Sequence, residues 1–261
     1  MALLALAPAC GFSSSPGDNP GTIDTRPACF GSVVRICFPA SAVPDKPRPL
    51  ASGGIDTDMT ARGSLCDQNN DHKDAYCVVT GAGLTLPAGA MLSAHGGKPL
   101  VLLSTAGIEL SGSIDVSSHQ SGGAQLRGAG ADPLATDACS FATPAMAATM
   151  GGGGAGASLG TPGGGGGNAS GGGGGGQAGS KLDRFPGALH GGCKGGEGAA
   201  NVGSVAAGGD GGGAIALIAV MPIHIDVAIN ASGGGGQGGA VGAANGGGGG
   251  GSGGMIVIDA P

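Results

Sequence analysis

Five runs of four or more glycines, Gly151–Gly154, Gly163–Gly167, Gly171–Gly176, Gly233–Gly236 and Gly246–Gly251, limit what the second half of this chain can fold into. Glycine has no side chain to bury and loses more backbone freedom on folding than any other residue. The chain carries 63 glycines in 261 residues, against roughly 7% in an average protein. Large rings usually dominate core energetics, and here there are five Phe, one Tyr and no Trp. A core must therefore be built from Leu, Ile, Val and Ala in thin layers. Such a chain needs covalent help, or a structure in which glycine itself packs. Two readings of the runs stay open. They are disordered loops that bury too little to offset their ordering entropy, or polyglycine II helices that approach closely because nothing but hydrogen projects from each Cα. The shorter glycine segment, 233–253, is flanked by apolar segments on both sides, which favours order there.

Apolar residues recur in an internal repeat. LVLLSTAGIELSGSIDVSSHQSGG, from Leu100, aligns without a gap with IALIAVMPIHIDVAINASGGGGQG, from Ile215. Ile108, Leu110, Ile114 and Val116 fall over Ile223, Ile225, Ile229 and Ala231, while Glu109 falls over His224 and Asp115 over Asn230. This is period two, one face in and one out. Met255-Ile256-Val257-Ile258 echoes Ala214-Ile215-Ala216-Leu217, and Leu84-Thr85-Leu86 with Met91–His95 forms a weaker earlier copy. Short strands in units of about 20 residues, with Ser and Gly turns, predict an all-β fold: a parallel β-helix or solenoid whose rungs cover one another. The segments 127–212 and 233–253 then become glycine-rich insertions at its turns.

Cys29, Cys37, Cys66, Cys77, Cys139 and Cys193 form an even set in a chain poor in core residues, which reads as a disulfide framework in an oxidising compartment. Six cysteines allow 15 connectivities. Sequential pairing is favoured because the first two loops are short and the third closes the long glycine-rich segment. Cys10 stands apart. Residues 1–9, MALLALAPA, are a short apolar stretch ending in small residues. With Cys10 they resemble a bacterial lipoprotein signal, which implies cleavage before Cys10 and a lipid on its sulfur. Residues 10–27 then form a flexible tether, 28–77 a disulfide-stapled head, 78–126 and 213–261 the rungs. No apolar run reaches the length of a transmembrane helix.

The net charge of −6, with 11 basic and 17 acidic residues and no basic cluster, excludes the phosphate neutralisation that drives nucleic-acid binding. Asp67, Asn69 and Asp71 alternate, and with Asp74 they offer hard oxygen donors inside the Cys66–Cys77 loop. That pattern is a candidate calcium site. His72 occupies the place of the turn glycine and Val78 that of the last ligand, so a solvated Asx turn competes with it. No other cofactor is indicated. Gly156-Ala157-Ser158-Leu159-Gly160 matches a nucleophile elbow in spelling, but no apolar strand precedes it. Glycoside cleavage needs paired carboxyls. Asp56 and Asp58 lie in a glycine-rich loop, Asp115 is matched by Asn230, and no acidic cluster stands out. His72, His95, His119, His190 and His224 are scattered.

Taken together, Cys10, the spaced cysteine pairs, the PLVLLS…IDVSSH segment and the GGGGGGSGGMIVID ending resemble the glycine-rich predicted lipoproteins of Gram-negative bacteria. The resemblance implies export and a surface role, and it carries over no functional residues. The expectation is a non-catalytic, lipid-anchored structural or adhesive protein of the outer membrane or cell surface, or alternatively, where residues 1–9 are an ordinary secretory signal, a secreted or periplasmic one. The anchored protein would meet the membrane through Cys10 and contact polysaccharide or other surface components. The alternative is a secreted polysaccharide-active enzyme or carbohydrate-binding module on a β-helix.

Overall fold

A computed structural model of the protein describes residues 26–59, 64–121, 124–132, 139, 145–146, 149–182, 188–201, 203–240 and 244–261. The signal segment 1–9 and Cys10 lie outside the described residues. The chain opens with a hairpin of β1 (Ala28–Phe30) and β2 (Ile36–Phe38), in which Cys29 and Cys37 face each other across the antiparallel pair. Two short strands follow, β3 (Arg48–Pro49) and β4 (Gly53–Asp56). Then come two complete three-strand units, first β5 (Cys77–Gly81), β6 (Leu84–Leu86) and β7 (Met91–His95). The second is β8 (Leu100–Ser104), β9 (Ile108–Leu110) and β10 (Ser113–Asp115). A hairpin of β11 (His119–Ser121) and β12 (Ala124–Leu126) leads into the glycine-rich region. A third unit, β13 (Ile215–Ala219), β14 (Ile223–Ile225) and β15 (Ile229–Asn230), precedes a final strand, β16 (Ile256–Asp259).

Equivalent strands of successive units pair in parallel, in the orders β16-β13-β8-β5, β14-β9-β6-β3 and β15-β10-β7-β4. The aligned repeat is the register itself: Ile215 pairs with Leu100, Ile223 with Ile108 and Ile229 with Ile114. Ile256 pairs with Ile215, and Leu84 with Ile108. Two-residue periodicity explains the shorter strands. Leu84, Leu86, Ile108, Leu110 and Ile114 point into one aliphatic core, while Thr85 and Glu109 point out. The first strand of each unit has no such alternation. CVVTG, LVLLS and IALIA are buried throughout, because both faces of their sheet are covered. One face meets the inner core. The other carries Val78, Val101, Leu103, Ala216 and Ile218, and it is covered by Val34, Ile36 and Phe38 of the N-terminal hairpin.

The solenoid expectation is overturned. The strands of the repeated units lie in three separate four-stranded parallel sheets, none of which closes. A single 3₁₀ turn at Ala40–Ala42 is the only helical element among the described residues. Period and offset report which strands pair and in what register. They are silent on whether the units continue into a coil, and here the path is broken between β10 and β13. The glycine-rich segments lie between β12 and β13 and between β15 and β16, and their described stretches are bonded to one another. Extended stretches over 151–158, 163–168, 190–199, 206–214, 231–239 and 244–254 bond sideways to one another. Gly246, Gly249 and Ser252 donate to Ala199, Gly196 and Cys193; Gly248, Gly251 and Gly254 donate to Gln237, Gly234 and Ala231. Gly151, Gly154 and Ala157 donate to Ala244, Gly247 and Gly250. Donors recur every third residue, the spacing of an extended chain that turns once in three residues.

Candidate functional site: a buried carboxyl pair beside the glycine bundle

The cysteines are bonded in chain order, Cys29–Cys37, Cys66–Cys77 and Cys139–Cys193, with S–S distances of 2.05, 1.98 and 2.01 Å. The first two fasten short loops near the sheets. The third bridges to the glycine segment 190–199. No helix among the described residues is long and apolar enough to cross a membrane. Together with the disulfides, this is compatible with an exported protein.

Asp67 and Asp71 of the candidate calcium loop accept hydrogen bonds from the protein itself. Asp67 Oδ1 accepts from Asn69 N at 2.8 Å and its Oδ2 from Thr80 Oγ1 at 3.0 Å. Asp71 Oδ1 accepts from Cys37 N at 2.8 Å, and Asp74 sits in an exposed turn. Among the described residues no group of three or more His, Cys, Asp or Glu side chains is placed to hold a metal ion. Asp56 and Asp58 likewise cap loop amides, accepting from Asp58 N and Gly97 N. Ser158, the would-be nucleophile, is buried. It donates to Gly179 O and accepts from Gly163 N, so its hydroxyl is engaged in shaping the bend.

Asp115, Ser117 and His119 come together as an acid, a nucleophile and a base would. Ser117 Oγ donates to Asp115 Oδ1 at 2.6 Å, and His119 Nε2 lies 3.0 Å from both Ser117 Oγ and Asp115 Oδ2. In a catalytic triad the acid orients one ring nitrogen and the other takes the serine proton. Here a single nitrogen faces both partners, and the serine proton already goes to the acid. His119 Nε2 must therefore donate. The Asp115 carboxyl is opposed by partial burial, yet the hydrogen bonds from Ser117 and His119 hold it below the usual range. The same bracket recurs one unit on, where Ser232 donates both N–H and Oγ–H to Asn230 Oδ1. A motif repeated with Asn in place of Asp is a turn-forming device.

An open groove of about 490 Å³ crosses the outer face of β6, β9 and β14, lined by Thr85, Glu109, His224, Met221 and Pro222. Thr85, Glu109 and His224 sit side by side in register.

The strongest concentration of perturbed charge lies elsewhere. After β12 the chain bends through Gly128 and Gly130 to Asp132, against the glycine segment 206–214 that contains Asp210. The Oδ2 atoms of Asp132 and Asp210 lie 3.7 and 3.8 Å from the same Arg127 Nε. Burial pushes the Asp132 carboxyl up to about 6. The Gly211 amide opposes that rise, the neighbouring Asp210 carboxyl adds to it, and Arg127 offsets it in part. Sequence reading missed this pair because 77 intervening residues separate the two acids. The available signal was a lone acid inside Gly208-Gly209-Asp210-Gly211-Gly212-Gly213.

No protein-family model matches the chain, and neither does any curated protein or solved structure.

Proposed function

We propose that the chain is an exported structural protein of the cell surface, held to a membrane by a lipid on Cys10 and without an active site. The observation that carries this reading is the glycine bundle. It is built from main-chain bonds between extended segments and is cross-linked to the rest of the chain through Cys139–Cys193. At Gly164, Gly167, Gly235 and Gly238 nothing stands within 4 Å of where a side chain would start. The outer surface there is bare main chain of low charge, suited to mechanical or adhesive contact with polysaccharide or other surface components.

The groove over β6, β9 and β14 favours a second reading, a carbohydrate-binding module. Glycoside cleavage takes two carboxyls across one accessible bond, and the groove lining contains only Glu109.

Mass spectrometry of the natively expressed protein, intact and after non-reducing digestion, tests the proposal. A diacylglyceryl mass on Cys10, three linked cysteine pairs and protease sensitivity on intact cells are the expected results. An unmodified Cys10 or free thiols would sink it.

A further inference from the structure

Residues 127–132 and two glycine segments meet around Asp132 and Asp210. Asp132 sits at φ 52°, the only positive value at a non-glycine residue among those described. Asp and Asn are among the few side chains that tolerate that region. The bend lets one residue hold two segments. Its N–H donates to Gly192 O at 3.0 Å, and its Oδ1 accepts from Gly211 N at 2.7 Å. Its Oδ2 is buried with no hydrogen-bond partner. Asp210 is held from the other side. Its N–H donates to Gln125 Oε1 at 3.1 Å and its carbonyl accepts from Gly234 N at 2.8 Å.

Charge does not balance at this junction. The two carboxyl side chains are 10% and 5% exposed, while Arg127, their shared cation, is 55% exposed. The surrounding elements contribute little compensation. On segment 190–199, His190 directs Nδ1 at Gly191 O, while Lys194 and Glu197 are exposed. On β10 and β11, Asp115 and His119 bond each other. Gln125 and Ser118, which touch segment 206–214, are neutral. Two carboxylates sharing one partly solvated cation cannot both ionise cheaply.

We propose that Asp132 and Asp210 form a proton-locked clasp, in which a single proton held between the two carboxyls fastens glycine segment 206–214 to the 127–132 loop and its loss loosens that segment. Relative to the unfolded chain, the native state favours the protonated form of Asp132. The clasp's contribution is therefore complete below the ordinary aspartate range and fades as pH rises through about 6. The clasp lies outside the proposed surface role and stands whether or not Cys10 carries a lipid.

Hydrogen exchange of the full chain at pH 5 and pH 7.5, corrected for intrinsic rates, tests it. The wild type should lose protection at Gly209, Gly211 and Gly212 on the order of tenfold, the change expected per unit above a titrating group near 6. Asp132→Asn and Asp210→Asn replace the shared proton by an amide donor, so each should stay protected at both pH values. Equal wild-type protection at the two pH values overturns the clasp, as does an Asp132→Asn or Asp210→Asn protein that follows the wild-type pH dependence. A carbon-detected titration of Asp132 reads the same proton without any variant, and a midpoint near 4 also overturns it.

Discussion

At Gly249 a side chain has nowhere to go. An added Cβ would stand 1.9 Å from the Ala155 carbonyl oxygen, which is main chain and cannot swing aside. At Gly235 the same carbon meets nothing within 4 Å, and the backbone is not in the left-handed region. Gly249→Ala should therefore destabilise the protein by more than about 2 kcal/mol, as overpacked sites do. Gly235→Ala should be neutral or stabilising by about 0.5 kcal/mol through the unfolded chain. Denaturant unfolding of the two variants checks this, and equal effects would mean that the bundle is not packed as described. Within an unbroken run this difference was invisible, because every position reads the same. Where the runs are broken it shows faintly. Lys194 and Glu197 stand three apart and outward, between the tightly packed Gly192, Gly195 and Gly198. The Asp132–Asp210 pair was invisible for another reason: no local pattern links two acids that chain topology alone brings together.

Strands were far more legible than residues. The gapless alignment of the segments from Leu100 and Ile215 gave the register of three parallel pairings, because period-two patterning must match wherever one face is buried. The unbroken apolar runs of β5, β8 and β13 also held information, since a strand without alternation is covered on both sides. The cover, Val34, Ile36 and Phe38, alternates with Arg35 and Cys37, a short period-two signal that the sequence reading passed over. The architecture was misread as a solenoid because pairing rules are local, whereas the departure of the chain into the glycine bundle after β12 is not. Burial differs between layers, and this sets the cost of truncation. Leu102 in β8 is fully buried between sheets, whereas Ile223 in β14 is only partly so. Leu102→Ala should cost about 2–5 kcal/mol. Ile223→Ala should cost less than half as much, since less of its surface leaves water on folding. Thermal or urea unfolding measures both, and a larger loss at Ile223 would place the centre of the core in the wrong layer.

Across the whole molecule two kinds of cohesion coexist. The sheets bury aliphatic side chains, whereas the bundle has mainly main-chain bonds, each worth about 1 kcal/mol net. Ordering each residue costs about 1–2 kcal/mol, and glycine lies at the expensive end. The bundle therefore depends on where it is fastened. Segment 206–214 runs directly into β13, and segment 244–254 runs into β16. Segments 151–158 and 190–199 have no such continuation into a strand. Their covalent anchor is Cys139–Cys193, which spans 54 residues. Closing a loop of that length stabilises by about 4 kcal/mol on chain-entropy grounds, against about 2.5 for the eight-residue Cys29–Cys37 loop. Replacing Cys139 and Cys193 together by serine should thus cost more than replacing Cys29 and Cys37. The loss should also be local: amides of Gly151, Gly154, Gly195 and Gly198 should exchange freely while those of β8 and β13 stay protected. Exchange mapped by mass spectrometry on the two double variants distinguishes this from uniform weakening. If β8 lost protection in step with Gly195, sheets and bundle would form one cooperative unit, and the apolar core would be supporting the glycine segments directly.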